Sequence, residues 1–255
     1  MFPRLSARTR KQLNNCSCSE APQRIQKIIS SHGAASRREA ERLIREGRIL
    51  VNGIPAHIGQ MAVFERDEIT VDGVPLIPRG SNIYIMLKKP RGFVTTRRDE
   101  RGRKTVMSLV EDAGVSVFPV GRLDINSEGL LILTNDGGFA YAIAHPSRGK
   151  LKTYEVHVRG EAAKAVNMLR DPLTIDSHIV QASAVKLLDC FKDGGILSVS
   201  IYEGRNRQIR KMCACCGLGV ISLKRVSIGM LELGSLKLGE WRYLTEEELK
   251  LLNDS

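Results

Sequence analysis

The sequence predicts an α+β protein in two parts, and three observations carry that expectation. Strand-like and helix-like stretches follow one another without regular alternation, which favours a mostly antiparallel mixed sheet over a wound parallel one. The N-terminal part holds two short helical segments and then changes to short strands punctuated by Asn-Gly and Asp-Gly. No tandem repeat and no G-x-G-x-x-G or G-x-x-x-x-G-K-[ST] loop occurs in the 255 residues, so folds built around a nucleotide cofactor or NTP are poorly supported.

The elements can be justified in order. Residues 24–31 place Ile25, Ile28 and Ile29 on one helical face, with Gly33 positioned to end the helix. Ser36 and Glu39 form a capping box, and Ala40, Leu43 and Ile44 supply the buried stripe of a second helix up to Gly47. Arg38, Arg42 and Arg45, spaced by four and three, project from nearly one side of it. Residues 49–51, the pair Asn52-Gly53, residues 69–71 and the pair Asp72-Gly73 read as short strands and tight turns. Pro78-Arg-Gly-Ser-Asn82 interrupts both periodicities and reads as a linker. The expected boundaries are therefore a basic, disordered tail over 1–22, a small domain over 23–77, a linker over 78–82 and a large domain over 83–255. In the large domain, residues 83–87, 130–134, 154–158, 179–185 and 196–202 read as strands. Residues 161–169 and 206–216 read as helices, and a second capping box at Thr245 and Glu248 opens a terminal one.

A net charge of +11 and a pI near 9.6 come from Lys and Arg scattered along the chain, which suggests a polyanionic partner. RNA fits best. A membrane surface fits less well, because no basic amphipathic segment stands out and no apolar run is long enough to span a bilayer. The six cysteines lack the spacing of a disulfide scaffold or paired zinc hooks, and the five histidines show no ligand spacing, so neither a metal nor another cofactor is expected. Arg4, Arg8, Arg10 and Lys11 precede no apolar signal core, so the expected location is the cytoplasm, with organellar import through this tail as the alternative.

Residues 121–137 hold the segment with most chemistry. Asp124 lies beside Arg122 just before the apolar run 130–133. A neighbouring guanidinium favours the ionised form, so Asp124 is a candidate nucleophile that needs no metal. The plain alternative is that it caps a turn or pairs with Arg122. Three further segments combine cations with turns or strand ends: Lys88-Lys89-Pro90-Arg91-Gly92, Lys150-Leu-Lys-Thr-Tyr154 and Glu203 to Lys211, which contains Arg205, Arg207 and Arg210. Phosphates need cations, and an unstacked base needs an aromatic platform, for which Tyr154 is the candidate.

Two helices with an arginine face followed by short strands resemble the RNA-binding domain named after the fourth small-subunit ribosomal protein, over about residues 23–72. The larger set of motifs closely resembles the RsuA/RluB type of ribosomal RNA pseudouridine synthase, over nearly all of residues 23–245. In that family the run G-R-L-D-x-x-[TS]-x-G-L-L holds the catalytic aspartate, which falls on Asp124. The resemblance makes Tyr154 the base-stacking tyrosine and Arg210 the arginine that pairs with the aspartate. It places the apolar residue that closes the uracil pocket on Leu223, and makes Arg122 the side chain that fills the space left by a flipped base. Ser127 stands where threonine is commoner.

The resemblance implies isomerisation of one uridine in ribosomal RNA or a pre-ribosomal particle, by a monomer with no cofactor. Arg37, Arg38, Arg42, Arg45, Lys88, Lys89, Arg205, Arg207 and Lys211 are the expected RNA contacts. Gly102-Arg-Lys-Thr105 looks closer to the large-subunit enzymes. The competing readings are a non-catalytic RNA-binding assembly factor and an N-glycosidase that would release free uracil.

Overall fold

A computed structural model describes residues 21–77, 80–145 and 150–254. The expected tail, apart from Ala21 and Pro22, and the linker residues Pro78 and Arg79 lie outside the described residues. The chain divides into two compact units between Asn82 and Ile83.

The first unit opens with strand β1 (Gln23–Arg24) and helix α1 (Ile25–Ser31), whose Ile25, Ile28 and Ile29 are buried. Helix α2 (Arg37–Arg45) follows and buries Ala40, Leu43 and Ile44. Its Ser36 cap accepts from the Glu39 N–H at 3.2 Å, while the Glu39 carboxylate is drawn to Arg42. Strands β2 (Ile49–Val51), β3 (Ile54–Pro55), β4 (Met61–Ala62), β5 (Ile69–Val71) and β6 (Val74–Pro75) complete the unit. β2 and β5 form the centre of a four-stranded antiparallel sheet in the order β3-β2-β5-β6, while β1 pairs with β4. The two hairpins turn at Asn52-Gly53 and Asp72-Gly73, where both residues of each pair have positive φ. Only such turns match the twist of the flanking strands, which is why these dipeptides are legible in the sequence.

The second unit is built on β7 (Tyr84–Lys89), β8 (Phe118–Val120), β9 (Glu128–Thr134), β10 (Lys152–Arg159), β13 (Ala184–Phe191), β14 (Gly194–Ile201), β15 (Gly219–Ile228), β16 (Leu231–Glu232) and β17 (Trp241–Tyr243). The main sheet runs β13-β14-β10-β15-β9-β7-β17, with β8 on β9 and β16 on β15. Every pairing is antiparallel except β15 with β9. There Gly129 has φ 107°, and a Cβ at that position would meet the Arg225 carbonyl oxygen at 2.2 Å, so only glycine lets the strands approach. β7 and β9 are buried on both faces. Ile85, Leu87, Leu131 and Leu133 enter one apolar cluster, and Met86, Leu130 and Ile132 another. A strand covered on both sides reads as an unbroken apolar run, as residues 130–133 do.

Helices α3 (Gly137–Ala144), α4 (Ala162–Arg170), α5 (Gln208–Cys215) and α6 (Glu246–Asp254) complete the unit. The Thr245 box is reciprocal. Thr245 Oγ1 accepts from the Glu248 N–H at 3.2 Å, and Glu248 Oε2 from the Thr245 N–H at 3.0 Å. One local expectation needs correction, and two elements had none. The run 179–185 is not one strand: His178–Val180, β12, pairs with β11 (Leu173–Ile175) in a hairpin, and β13 begins at Ala184. Helix α3 went unread because it opens on two glycines. Asp136 starts it by accepting from Gly138 and Phe139 N–H at 2.8 and 3.1 Å. Strand β15 was also missed, because Lys224 and Arg225 interrupt its apolar alternation.

Candidate active site

Residues 121–127 link β8 to β9 and carry Asp124 on a turn in which the Ser127 N–H bonds the Asp124 carbonyl at 3.0 Å. Every carbonyl from Leu123 to Ser127 has a donor. Leu123 takes the Thr95 hydroxyl at 2.7 Å, Ile125 the Gly92 N–H at 2.8 Å, and Asn126 the Arg210 Nη2 at 2.9 Å. Lys89 Nζ donates to the carbonyls of Pro90, Asp124 and Ser127 at 3.0, 3.1 and 2.8 Å, which uses all three ammonium protons. The backbone is thereby fixed from three other segments, while the Asp124 side chain is half-buried at the edge of a cleft of about 290 Å³.

The cleft gathers residues from distant parts of the unit. Arg122, Leu123, Asp124 and Ser127 come from the turn, Tyr154 from β10, Leu223 from β15, and Arg205, Arg207 and Gln208 from the start of α5. Tyr154 and Leu223 are nearly buried, at 7% and 5% exposure. Tyr154 pairs with Arg225 across the strands, and Leu223 with Val156 on the same face. Arg207 has φ 51° and is exposed, and Gln208 Oε1 accepts the Arg205 N–H at 3.0 Å.

Several expected contacts lie elsewhere or are already engaged. Lys89 is wholly buried, and burial lowers its pKa to about 8 against the pull of Asp124 and Glu128, so its ammonium holds the Asp124 turn and is not presented at the surface. Lys88 Nζ donates to the Leu236 carbonyl at 2.8 Å. Lys211 pairs with Asp176 on the turn between β11 and β12, and Arg205 with Glu203 at 3.0 Å. Among the described residues neither Arg122 nor Arg210 forms an ion pair with Asp124. Arg210 feels that carboxylate, but burial and Arg207 lower its pKa, and its Nη2 is bonded to the backbone one turn beyond Asp124. On α2, Arg42 is held by Glu39 and Glu46, which raise its pKa, whereas Arg37, Arg38 and Arg45 are exposed without an ion pair among the described residues.

Two cleft residues were missed in the sequence. Thr95 and Arg103 both line it, at opposite ends of an exposed loop. Residues 97–104 carry five cations in eight positions, a signal as dense as those of the three cationic segments already singled out. Asp99 accepts from the Arg103 backbone and guanidinium, at 2.9 and 2.7 Å, and these bonds hold its own pKa near 2.

Residues 83–215 match the model of the family described as RNA pseudouridylate synthase, and residues 23–69 match that of the S4 domain. The ribosomal large subunit pseudouridine synthase B of Bacillus subtilis is 39% identical over 234 residues, covering 90% of this chain and 95% of that protein. An uncharacterized RNA pseudouridine synthase of Aquifex aeolicus is 38% identical over 232 residues, covering 90% and 93%. A crystal structure of a pseudouridylate synthase superposes with a TM-score of 0.63 at 29% identity, covering 90% of this chain and 99% of that one.

Proposed function

The chain belongs to the RNA pseudouridylate synthase family, with an S4 domain ahead of the catalytic unit, and from that premise we propose that it converts one uridine of large-subunit ribosomal RNA to pseudouridine with Asp124 as the reacting carboxylate. The reaction breaks the bond from ribose C1′ to uracil N1 and forms one from C1′ to C5. C5 loses a proton and N1 gains one, so no electrons are exchanged and no water is consumed. Such chemistry asks only for a positioned carboxylate and a site that holds the detached base. Asp124 either attacks C1′ or removes a ribose proton, and both routes begin from the same ionised side chain.

The target uridine must leave its stack, at a cost of a few kcal/mol. Stacking on Tyr154, worth about 1–3 kcal/mol per base, offsets much of it. Leu223 and Arg122 both line the cleft, and in this reading Leu223 walls the pocket, Arg122 fills the vacated position in the RNA, and Arg207 supplies an exposed cation for phosphate. Arg210 acts on Asp124 through the Asn126 carbonyl in the state described, with a direct carboxylate pair reserved for the RNA-bound state. The partner is ribosomal RNA or a pre-ribosomal particle, and the chain acts as a monomer.

The observation that carries this reading is one cleft holding Asp124, Arg122, Tyr154 and Leu223, drawn from a turn and two separate strands. The test is site-resolved pseudouridine mapping of large-subunit RNA incubated with the purified protein. One new site is expected, with none for Asp124→Asn and no free uracil. Release of uracil, or full modification by the asparagine variant, rejects it.

A further inference from the structure

We propose that Thr95 is a positioning residue for Asp124, acting through the backbone of Leu123. Its Oγ1 donates to the Leu123 carbonyl at 2.7 Å and accepts from the Leu123 N–H at 3.3 Å. One hydroxyl therefore satisfies both polar groups of the residue directly before Asp124, as a paired strand would. It does so out of water, since Thr95 is 7% exposed and Leu123 5%. β8 ends at Val120 and β9 begins at Glu128, so this stretch lies between strands, where no ladder fixes it. The other carbonyls of the turn take their donors from Lys89, Arg210 and the backbone N–H groups of Gly92 and Ser127. At Leu123 alone a single side chain fixes both N–H and C=O, which sets the direction in which the chain enters Asp124.

Thr95 is itself well anchored. Val94 bridges Thr105, and the Val94 N–H bonds the Lys104 carbonyl at 2.9 Å, closing the cationic loop 97–104 just beside it. The hydroxyl thus connects the foot of that loop to the reacting carboxylate, and Thr95 lines the same cleft. Neither the apolar patterning nor the motif around Asp124 points to this contact, because the two residues are 28 positions apart.

The inference rests on Asp124 being the reacting group, and two variants of the full chain test it. Thr95→Val keeps the shape and removes the hydroxyl, leaving two buried polar groups without a partner, whereas Thr95→Ser keeps the hydroxyl. Because small misplacements of a reacting group cost up to about 100-fold, Thr95→Val is expected to lower kcat about 10- to 100-fold, with KM and RNA affinity within about threefold of wild type. Serine should restore kcat to within about threefold. Hydrogen exchange at the Leu123 amide should rise in the valine variant and stay slow in the serine one. Wild-type kcat in Thr95→Val, or equal loss in both variants, overturns the proposal, because filling of space would then be the whole role. Should the wild-type chain form no pseudouridine, the reading of Asp124 fails, and unchanged Leu123 exchange in Thr95→Val would separately remove the hydroxyl pin.

Discussion

The Asp124 turn and the arginine face of α2 use their cations in opposite ways. Around residues 121–127 two cations from other segments, Lys89 and Arg210, point inward and bind backbone carbonyls, leaving the one carboxylate unclaimed by an ion pair among the described residues. On α2 the backbone satisfies itself as a helix, and the guanidinium groups stand in solvent, with Arg42 alone neutralised by carboxylates of its own and the following turn. A basic residue near a site is thus either part of the frame or a contact for the ligand. What decides is whether a carbonyl or carboxylate lies within reach, which spacing in the sequence does not report.

The contrast can be broken most sharply at the carboxylate. Asp124→Asn should lower pseudouridine formation by at least about a thousandfold, roughly 4 kcal/mol of barrier, while RNA affinity stays within a few-fold. Single-turnover assays beside filter binding measure both, and turnover above that floor would remove Asp124 from the reaction.

Lys89→Met tests the frame. Three carbonyls, one buried and two partly buried, lose a donor, so unfolding in urea should show a loss of about 1–3 kcal/mol with a fall in turnover, and the salt dependence of RNA binding should not change. A salt slope reduced by about one, with stability intact, would return Lys89 to the list of phosphate contacts.

The solvent-facing cations should behave in the reverse manner. Replacing Arg37, Arg38 and Arg45 together with alanine should flatten the plot of log affinity against log salt by about two to three, at 0.7–0.9 per phosphate contact, and leave turnover on saturating RNA unchanged. Arg42→Ala should leave the slope as it is and cost only the small amount typical of exposed helical ion pairs. An equal slope change for Arg42 would mean that RNA displaces Glu39 and Glu46 from it.

A further effect is on pH. Lys89 and Lys152 both titrate near 8 in the folded chain, chiefly because burial disfavours their charge, with Arg225 adding repulsion, against 10.5 when unfolded. Between those values the unfolded chain binds more protons, so these two groups make stability rise with pH from about 8 to 10.5, the destabilisation being complete below 8. Denaturation at pH 7.5 and 9.5 should show a smaller rise in Lys152→Met than in wild type. An identical rise would locate the linkage elsewhere.

Much of this was legible in the sequence where a local rule applies. The isoleucines of α1, the caps at Ser36 and Thr245, and the paired positive-φ turns were all readable from neighbours within four residues. Placement in the cleft could be anticipated for Arg122, Asp124, Tyr154, Arg205, Arg207 and Leu223, but only because motifs were available, since no periodicity links a turn to strands 30 and 100 residues later. The two adjacent lysines of β7 show the limit. Strand alternation sends Lys88 and Lys89 to opposite faces, and only the fold reveals that one meets the Leu236 carbonyl and the other the carbonyls of the Asp124 turn. β15 was illegible for the same reason. Arg225 is 3% exposed, and its Nε finds a partner in the Leu130 carbonyl.

That Arg225 contact also sets an order of events in synthesis. It closes a loop of 95 residues, and the parallel pairing it accompanies consists of only two residue pairs. Hairpins such as β13 with β14 can zip as soon as both strands leave the ribosome, whereas the Glu128–Gly129 end of β9, outside its pairing with β8, gains its parallel partner only once β15 has emerged. Asp124 is therefore made well before the wall of its cleft. A nascent chain halted before Gly219 carries Asp124 and Tyr154 but lacks Leu223, so the cleft they share is complete only when nearly the last strand of the sheet is in place.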